Sequence, residues 1–340
     1  MRRCKDLMFG LALLVLSVAS GCTGIPTQSA VDAAGPQISR IEWLWWLFTW
    51  VLAAVYVIVG GIIVFALWRR RREKDMAPTL SHPEPRKITA VGVATVATVL
   101  ILLALLTVSA TVSKRLWTQT HANTIELMIV GHQWWWEVRY LDPVPSNIAV
   151  TANEIHIPVG RPVRVRLTSS DVIHSFWVPN FHGKKDLIPG QRSETWIQAN
   201  KPGIYRGQCA EFCGHQHAHM TLHVVAESEK EFQAWINQQR KPAAEPADET
   251  QARGQQVFLN GPCGTCHTVR GTPAGSLVGP DLTHVASRGT LAAGTIPNTR
   301  GHLAGWILDP QSIKPGVRMP PNPMETDELQ ALLTYLESLK

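Results

Sequence analysis

The 340-residue sequence predicts a multi-domain chain, with a pair of membrane-spanning helices first, an all-β sandwich or barrel second and a small all-α domain last. Three observations carry this. Two N-terminal apolar stretches are each long enough to cross a bilayer, the middle of the chain alternates over short runs broken by Pro and Gly, and a helical apolar stripe closes the chain behind Gly/Pro-rich loops.

Met1 to Lys5 carries three basic residues, Leu7 to Val18 is apolar, and Ala19-Ser20-Gly21-Cys22 is small-residue sequence, so residues 1–22 read as a secretory signal peptide. The triplet before Cys22 also resembles a bacterial lipobox, with Ala19 where Leu is usual, so Cys22 is a lipidation candidate beside plain cleavage nearby. Residues 38–114 read as a transmembrane hairpin. Ile41 to Trp68 and Ile88 to Val112 each exceed the ~20 apolar residues that span a bilayer core, with Glu42 alone charged inside them and no polar face on either. The run RRRREKD (Arg69 to Asp75) between them is a short basic loop that stays cytoplasmic under the positive-inside rule, which puts everything after Lys114 outside. Trp43, Trp45, Trp46 and Trp50 form an aromatic belt at the outer end of the first helix.

Net charge is +6, but much of it lies in the signal peptide and in Arg69 to Arg72, so it is no nucleic-acid signal. Of the six cysteines, Cys4 leaves with the signal, Cys22 is the lipid candidate, and the other four form two close pairs, each beside His. An exported chain could oxidise such pairs, but the adjacent imidazoles favour metal chemistry.

Residues 122–226 carry short alternating runs such as IELMIV, VRVRLTSS and YRGQ, the mark of a β-sandwich or barrel. His174 falls just past one run, and the loop CAEFCGHQHAHM (Cys209 to Met220) lies between two strands, Gly203 to Gln208 and Thr221 to Val225. A metal loop hung between strands fits a cupredoxin-like barrel. Residues 227–250 hold a helix with Phe232, Trp235 and Ile236 on one side, then KPAAEPADET, a semi-rigid tether. Residues 251–340 form the third domain: a short helix, the motif CGTCH, loops from Gly271 to Gly279, and a final helix from Glu325 with Leu329, Leu332, Leu333 and Leu336 in a stripe. So much loop makes a thin core, which a buried porphyrin would fill.

In CGTCH, Cys263 and Cys266 are spaced to add to porphyrin vinyl groups while His267 supplies an axial nitrogen, a covalent haem c motif. The sixth ligand is expected from a downstream Met, with Met319 and Met324 the candidates. The stretch VRMPP before the last helix resembles the ligand position of small bacterial class I cytochromes c, which favours Met319. VGPDL resembles the loop whose proline carbonyl accepts the proximal His proton, which makes Pro280 that partner.

The loop CAEFCGHQHAHM combines two thiols, a carboxylate, three imidazoles and a thioether, a soft set that suits copper better than zinc. Cys209 and Cys213 are spaced to share a metal or bridge two, with His217 and Met220 following, while His215 and His219 stay open as ligands by spacing alone. With DVIHSFWVPN and DLIPG upstream, the pattern C-x-E-x-C-x-x-x-H-x-x-M resembles the binuclear copper A (CuA) site of cytochrome c oxidase subunit II, over both helices and the barrel. That resemblance implies that Cys209 and Cys213 bridge the coppers, His174 and His217 bind one each, and Met220 and the Glu211 carbonyl are weak axial ligands. It assigns His215 and His219 no metal, and it gives the Glu211 carboxylate an interfacial magnesium (Mg). The segment GHQWWWEVRY resembles the family's aromatic segment, which makes Trp134 the electron-entry residue and Trp135 and Trp136 packing; His223 reads as structural.

Taken together, the expected protein is subunit II of a respiratory haem-copper cytochrome c oxidase with a cytochrome c fused at its C-terminus. It would have no catalytic residue of its own. Electrons would pass from cytochrome c or another outside donor through haem c and copper A to subunit I, where oxygen is reduced and protons are pumped, with subunit III as a further partner. The tether would replace diffusional docking with a high effective concentration. The expected location is the bacterial inner membrane, with copper and haem domains on its outer side and no nucleic-acid partner. The alternatives are the copper A subunit of a haem-copper nitric oxide reductase and a membrane copper-binding protein without enzyme activity.

Overall fold

The computed structural model describes residues 26–72, 85–117 and 124–340. The signal peptide, Cys22 and the loop residues Glu73 to Asp75 lie outside the described residues. The chain divides into two units, Ser39–Ala122 and a second made of Met1–Ile38 with Asn123–Lys340.

The first unit holds α2 (Pro85–Trp117) and all but the first three residues of α1 (Pro36–Arg72), each helix about a turn longer at both ends than its apolar stretch. Both are long and apolar enough to cross a membrane. A helix satisfies its own backbone polar groups, which is what hydrocarbon demands. The hydroxyls follow suit: Thr49, Thr89, Thr95, Thr98 and Thr107 each donate to the carbonyl four residues earlier.

The second unit begins with ten strands: β1 (Ile125–His132), β2 (Trp135–Tyr140), β3 (Ala149–Ala152), β4 (Glu154–Pro158), β5 (Val163–Ser169), β6 (His174–Trp177), β7 (Lys185–Leu187), β8 (Ser193–Ile197), β9 (Gly203–Cys209) and β10 (Thr221–Glu227). They make two five-stranded sheets, ordered β3-β2-β1-β5-β8 and β4-β10-β9-β6-β7. The pairs β1 with β5 and β4 with β10 are parallel and the rest antiparallel, the mixed sandwich of a cupredoxin-like domain. Alternation sends Leu127 and Ile129 of β1 and Val163, Val165 and Leu167 of β5 inward, where they meet Trp136, Phe176, Leu222 and Val224. Strand β6 has no legible alternation, because His174, Ser175 and Phe176 are all buried. The segment before α1 packs on the same domain: Ala34 N–H donates to Asn180 O at 3.0 Å, and Gln28 Nε2 to Gln208 Oε1 at 2.7 Å.

Helix α3 (Glu229–Gln239) starts at a capping box in which Ser228 and Glu231 satisfy each other's backbone N–H. After it the tether does not run free. Ala243 N–H donates to Arg270 O at 2.8 Å, and the Arg270 guanidinium reaches back to the carbonyls of Gln239 and Arg240.

The C-terminal domain contains α4 (Glu249–Asn260), the hairpin β11 (Thr290–Leu291) and β12 (Ile296–Pro297), α5 (Arg300–Leu308), α6 (Pro310–Ile313) and α7 (Thr326–Ser338). The expected stripe of α7, Leu329, Leu332, Leu333 and Leu336, is buried against Phe258 of α4. The two helices cross so closely that a Cβ at Gly254 would lie 2.0 Å from Ala331 O. The hairpin, α5 and α6 were not legible in the sequence, since each is short and carries no long period.

Candidate metal and haem centres

Strand pairing assembles the first site. Phe176 of β6 lies opposite Cys209 of β9, which sets His174 beside the loop that leaves β9 and returns as β10. Across that gap Cys209 Sγ is 3.8 Å from Cys213 Sγ and 3.9 Å from His174 Nδ1. Cys213 Sγ is 3.6 Å from His217 Nδ1 and 3.8 Å from Met220 Sδ, and Glu211 O is 3.2 Å from Cys209 Sγ. All six predicted donors converge. His174, Cys209, Cys213 and Met220 are buried, and both cysteines are free thiols.

The electrostatics fit a soft cation. Two thiols this close cannot both ionise easily: the hydrogen bond from Cys213 pulls the Cys209 thiol well below its usual range, and the same contact pushes Cys213 up. A metal ion bound by both would relieve that repulsion. Burial works against charging His174, but Asp171 and Cys209 outweigh it and hold the imidazole above its usual range. Asp171 Oδ1 lies 2.8 Å from His174 Nε2. A carboxylate accepts, so the proton sits on Nε2 and Nδ1 faces the sulfurs as a donor to metal. Trp136 packs edge-on against His174 with ring centroids 6.0 Å apart.

Residues outside the donor set also sort themselves. His215 is exposed, and His219 Nδ1 is 2.8 Å from Gln216 Oε1. The Glu211 carboxylate does not by itself fit a magnesium site, because Lys184 Nζ pairs with it at 2.8 Å. Sequence reasoning missed Asp171, although a carboxylate three residues before His174 in DVIH was a usable signal.

The second site centres on His267. Its Nδ1 is 2.8 Å from Pro280 O, so Nδ1–H donates, as expected for Pro280, and Nε2 keeps its lone pair. Burial, with the Arg288 charge adding to it against the Pro280 hydrogen bond, pushes the imidazole below its usual range. Gly279 lies so close that a Cβ there would be 2.6 Å from His267 Cε1. Cys263 and Cys266 are half-buried free thiols in the turn before it. Arg288 is half-buried and donates to Asp281 O, but its buried Nε has no hydrogen-bond partner, a cation suited to the acidic groups of a porphyrin. Met319 is half-buried in the loop after α6, its carbonyl bound at 2.8 Å by Gln311 Nε2, while Met324 packs on the domain core. Cys263, Cys266 and the lone pair on His267 Nε2 fit a covalently held haem.

The two sites share a boundary. Trp134 Nε1–H donates to Cys213 O at 2.9 Å, and Gln133 Nε2 donates to the same carbonyl at 2.8 Å. On its other side Trp134 faces the C-terminal domain, where a Cβ at Gly316 would lie 3.8 Å from Trp134 Cη2. Lys314 carries no motif in the sequence, yet it is 1% exposed and points its ammonium at Trp134 O, His219 O and Ala292 O.

Comparison with known proteins identifies the family. Residues 145–228 match the family described as cytochrome c oxidase subunit II, periplasmic domain, and residues 251–340 match cytochrome c. The chain is 35% identical over 331 residues to cytochrome c oxidase subunit 2 of Alkalihalophilus pseudofirmus, covering 94% of this chain and 93% of that one. The chain belongs to the cytochrome c oxidase subunit 2 family. It is a member with a C-terminal cytochrome c domain, and the two matched families imply copper A and haem c. Subunit 2 of Bacillus subtilis is 28% identical over 355 residues, covering 97% and 96% of the two chains. The solved periplasmic domain of subunit II of cytochrome oxidase from Bradyrhizobium japonicum is 33% identical, covers 35% of this chain and 95% of that one, and has a TM-score of 0.33.

Proposed function

We propose that this chain is the electron-entry subunit of a haem-copper cytochrome c oxidase, relaying electrons from an outside donor through haem c and copper A to a partner that reduces oxygen. In this reading residues 38–114 anchor it in the inner membrane against subunits I and III, 122–226 carry copper, 227–250 connect, and 251–340 carry haem on the outer side. Cys209, Cys213, His174, His217, Met220 and the Glu211 carbonyl would hold the copper pair. Cys263, Cys266, His267 and Met319 would hold the haem. An interfacial magnesium at Glu211 would need the partner's ligands and displacement of Lys184.

When bound, the two groups supply the one-electron chemistry; the rest is done by the chain. Asp171 keeps the His174 proton on Nε2, and Pro280 keeps the His267 proton on Nδ1, so each metal-facing nitrogen stays available. The packed barrel around Trp136 and Phe176 limits how far the copper donors can move. The observation that carries the reading is Trp134, which touches the haem domain on one side and hydrogen-bonds the Cys213 carbonyl on the other.

The test is photoreduction of the haem in the purified complex, followed by absorbance of haem and copper together. Haem oxidation matched by copper reduction supports the relay, and a haem that stays reduced beside oxidised copper refutes it. Assaying the same complex with oxygen and with nitric oxide decides the partner's substrate.

A further inference from the structure

We infer that Lys314 is a positioning residue that fixes the haem domain on the copper domain in one pose, the pose used for transfer between the two centres. This rests on the relay proposed above. An ammonium has three N–H donors and no acceptor, and burying it without partners is strongly unfavourable. Lys314 Nζ finds three carbonyls, Trp134 O at 2.8 Å, His219 O at 2.8 Å and Ala292 O at 3.0 Å. Two of these belong to the copper domain, one on the entry tryptophan and one on the residue before Met220. The set is complete only when the domains are docked in this register. Separated domains would return the ammonium to water at little cost, so Lys314 contributes less to the strength of docking than to its uniqueness.

The surrounding backbone points the same way. Ala292, Ala293 and Gly294, at the tip of the β11–β12 hairpin, have φ of 53°, 57° and 75°. Two successive non-glycine residues in the left-handed region are strained, and persist only where contacts over-determine them. Here Thr221 donates to Ala293 O with both N–H, at 3.1 Å, and Oγ1, at 2.7 Å, while Lys314 binds the preceding carbonyl. A Cβ at Gly294 would lie 1.9 Å from Thr221 Oγ1. From the haem side Gln311 binds Gly316 N–H, Val317 O and Met319 O, each at 2.8 Å, so the loop from Lys314 to Met319 moves as one piece. Gln216 Nε2 completes the seam at Pro315 O, 2.7 Å away.

The experiment is Lys314→Met in the complete oxidase, which keeps the length and removes the donors. Haem absorbance and copper paramagnetic resonance should stay native, while haem-to-copper transfer slows by about tenfold or more and the Thr221 amide exchanges about tenfold faster. Gly294→Ala, which forces the hairpin off Thr221 without replacing any proposed donor, should do the same and serves if the first variant fails to load haem. Native spectra with an unchanged transfer rate, or unchanged Thr221 exchange, in a loaded variant overturns the inference. A wild-type complex that shows no haem-to-copper transfer instead sinks the relay, while Thr221 exchange still reports whether Lys314 fixes the docking.

Discussion

Trp134 donates its indole N–H to the carbonyl oxygen of Cys213 at 2.9 Å, joining the surface where the haem domain sits to a proposed copper donor through one hydrogen bond. Trp134→Phe keeps an aromatic ring but removes that donor. Transfer from haem to copper is expected to slow by about tenfold, roughly 1.4 kcal/mol of barrier, with both spectra unchanged. Flash kinetics on the loaded complex measures it, and an unaltered rate would remove Trp134 from the route.

Asp171 accepts from His174 Nε2 and from the N–H groups of Gln133 and Val172. Burial opposes its charge, but these hydrogen bonds hold its carboxyl below the usual range. Asp171→Asn should leave the barrel folded and weaken copper binding by about 10–100-fold, as expected for losing the partner that orients a ligating imidazole. Competition with a chelator of known affinity reads this directly.

His217 and His215 are two residues apart, but only His217 faces Cys213. His217→Ala should abolish the resonance signature of an electron shared over two coppers, whereas His215→Ala should leave it intact. The reverse result would reassign the loop.

His156 lies between two carboxylates, Glu227 Oε1 at 3.0 Å from Nδ1 and Glu154 Oε1 at 3.1 Å from Nε2, and stacks on Trp235 with centroids 4.1 Å apart. Burial opposes protonation, but both carboxylates raise the His156 pKa above 6.5. Its stabilisation is therefore complete below pH 6.5 and is lost as pH rises through the higher folded value. Glu154 is the mirror case: burial raises it, His156 lowers it further, and its contribution holds above 4.5 and fades as pH falls through the depressed value. Denaturant titrations of wild type should show this cluster's full contribution between those two limits. His156→Gln should cost on the order of 2 kcal/mol there and flatten the alkaline side of the profile. A variant with the wild-type slope above pH 6.5 would show that another group carries the dependence.

Gly279→Ala places a methyl against the His267 ring. The haem domain should lose about 1–3 kcal/mol of stability, as for other overpacked sites, and its visible spectrum should shift with the displaced imidazole. Unchanged stability and spectrum would mean that the loop yields without moving His267.

What the sequence made legible was whatever is encoded by neighbours along the chain. The two long helices follow from uninterrupted apolar runs, and the proposed copper and haem donors other than His174 and Met319 sit in tight motifs whose spacing limits their geometry. Strand β6 escaped because burial on both faces erases alternation, and the hairpin at Ala292 escaped because two alanines give no sign of a left-handed turn. Lys314 is the clearest case. A lysine before a proline reads as solvent-exposed, and its burial depends on carbonyls 180 and 95 residues away. Asp171 and Thr221 likewise become informative only once β6, β9 and β10 are assembled.

The seam between copper and haem domains is held mostly by partly buried hydrogen bonds to backbone carbonyls, with Arg318 and Asp171, 3.7 Å apart, as a charge pair whose arginine is largely exposed. Exposed ion pairs fade with added electrolyte, but buried dipolar contacts do not. A free cytochrome that docks by surface charge loses its hold as ionic strength climbs. Under the proposed relay, a subunit that carries its own docked cytochrome would keep that handover working in brine as in dilute buffer, and would leave salt sensitivity to the step at which an outside donor arrives.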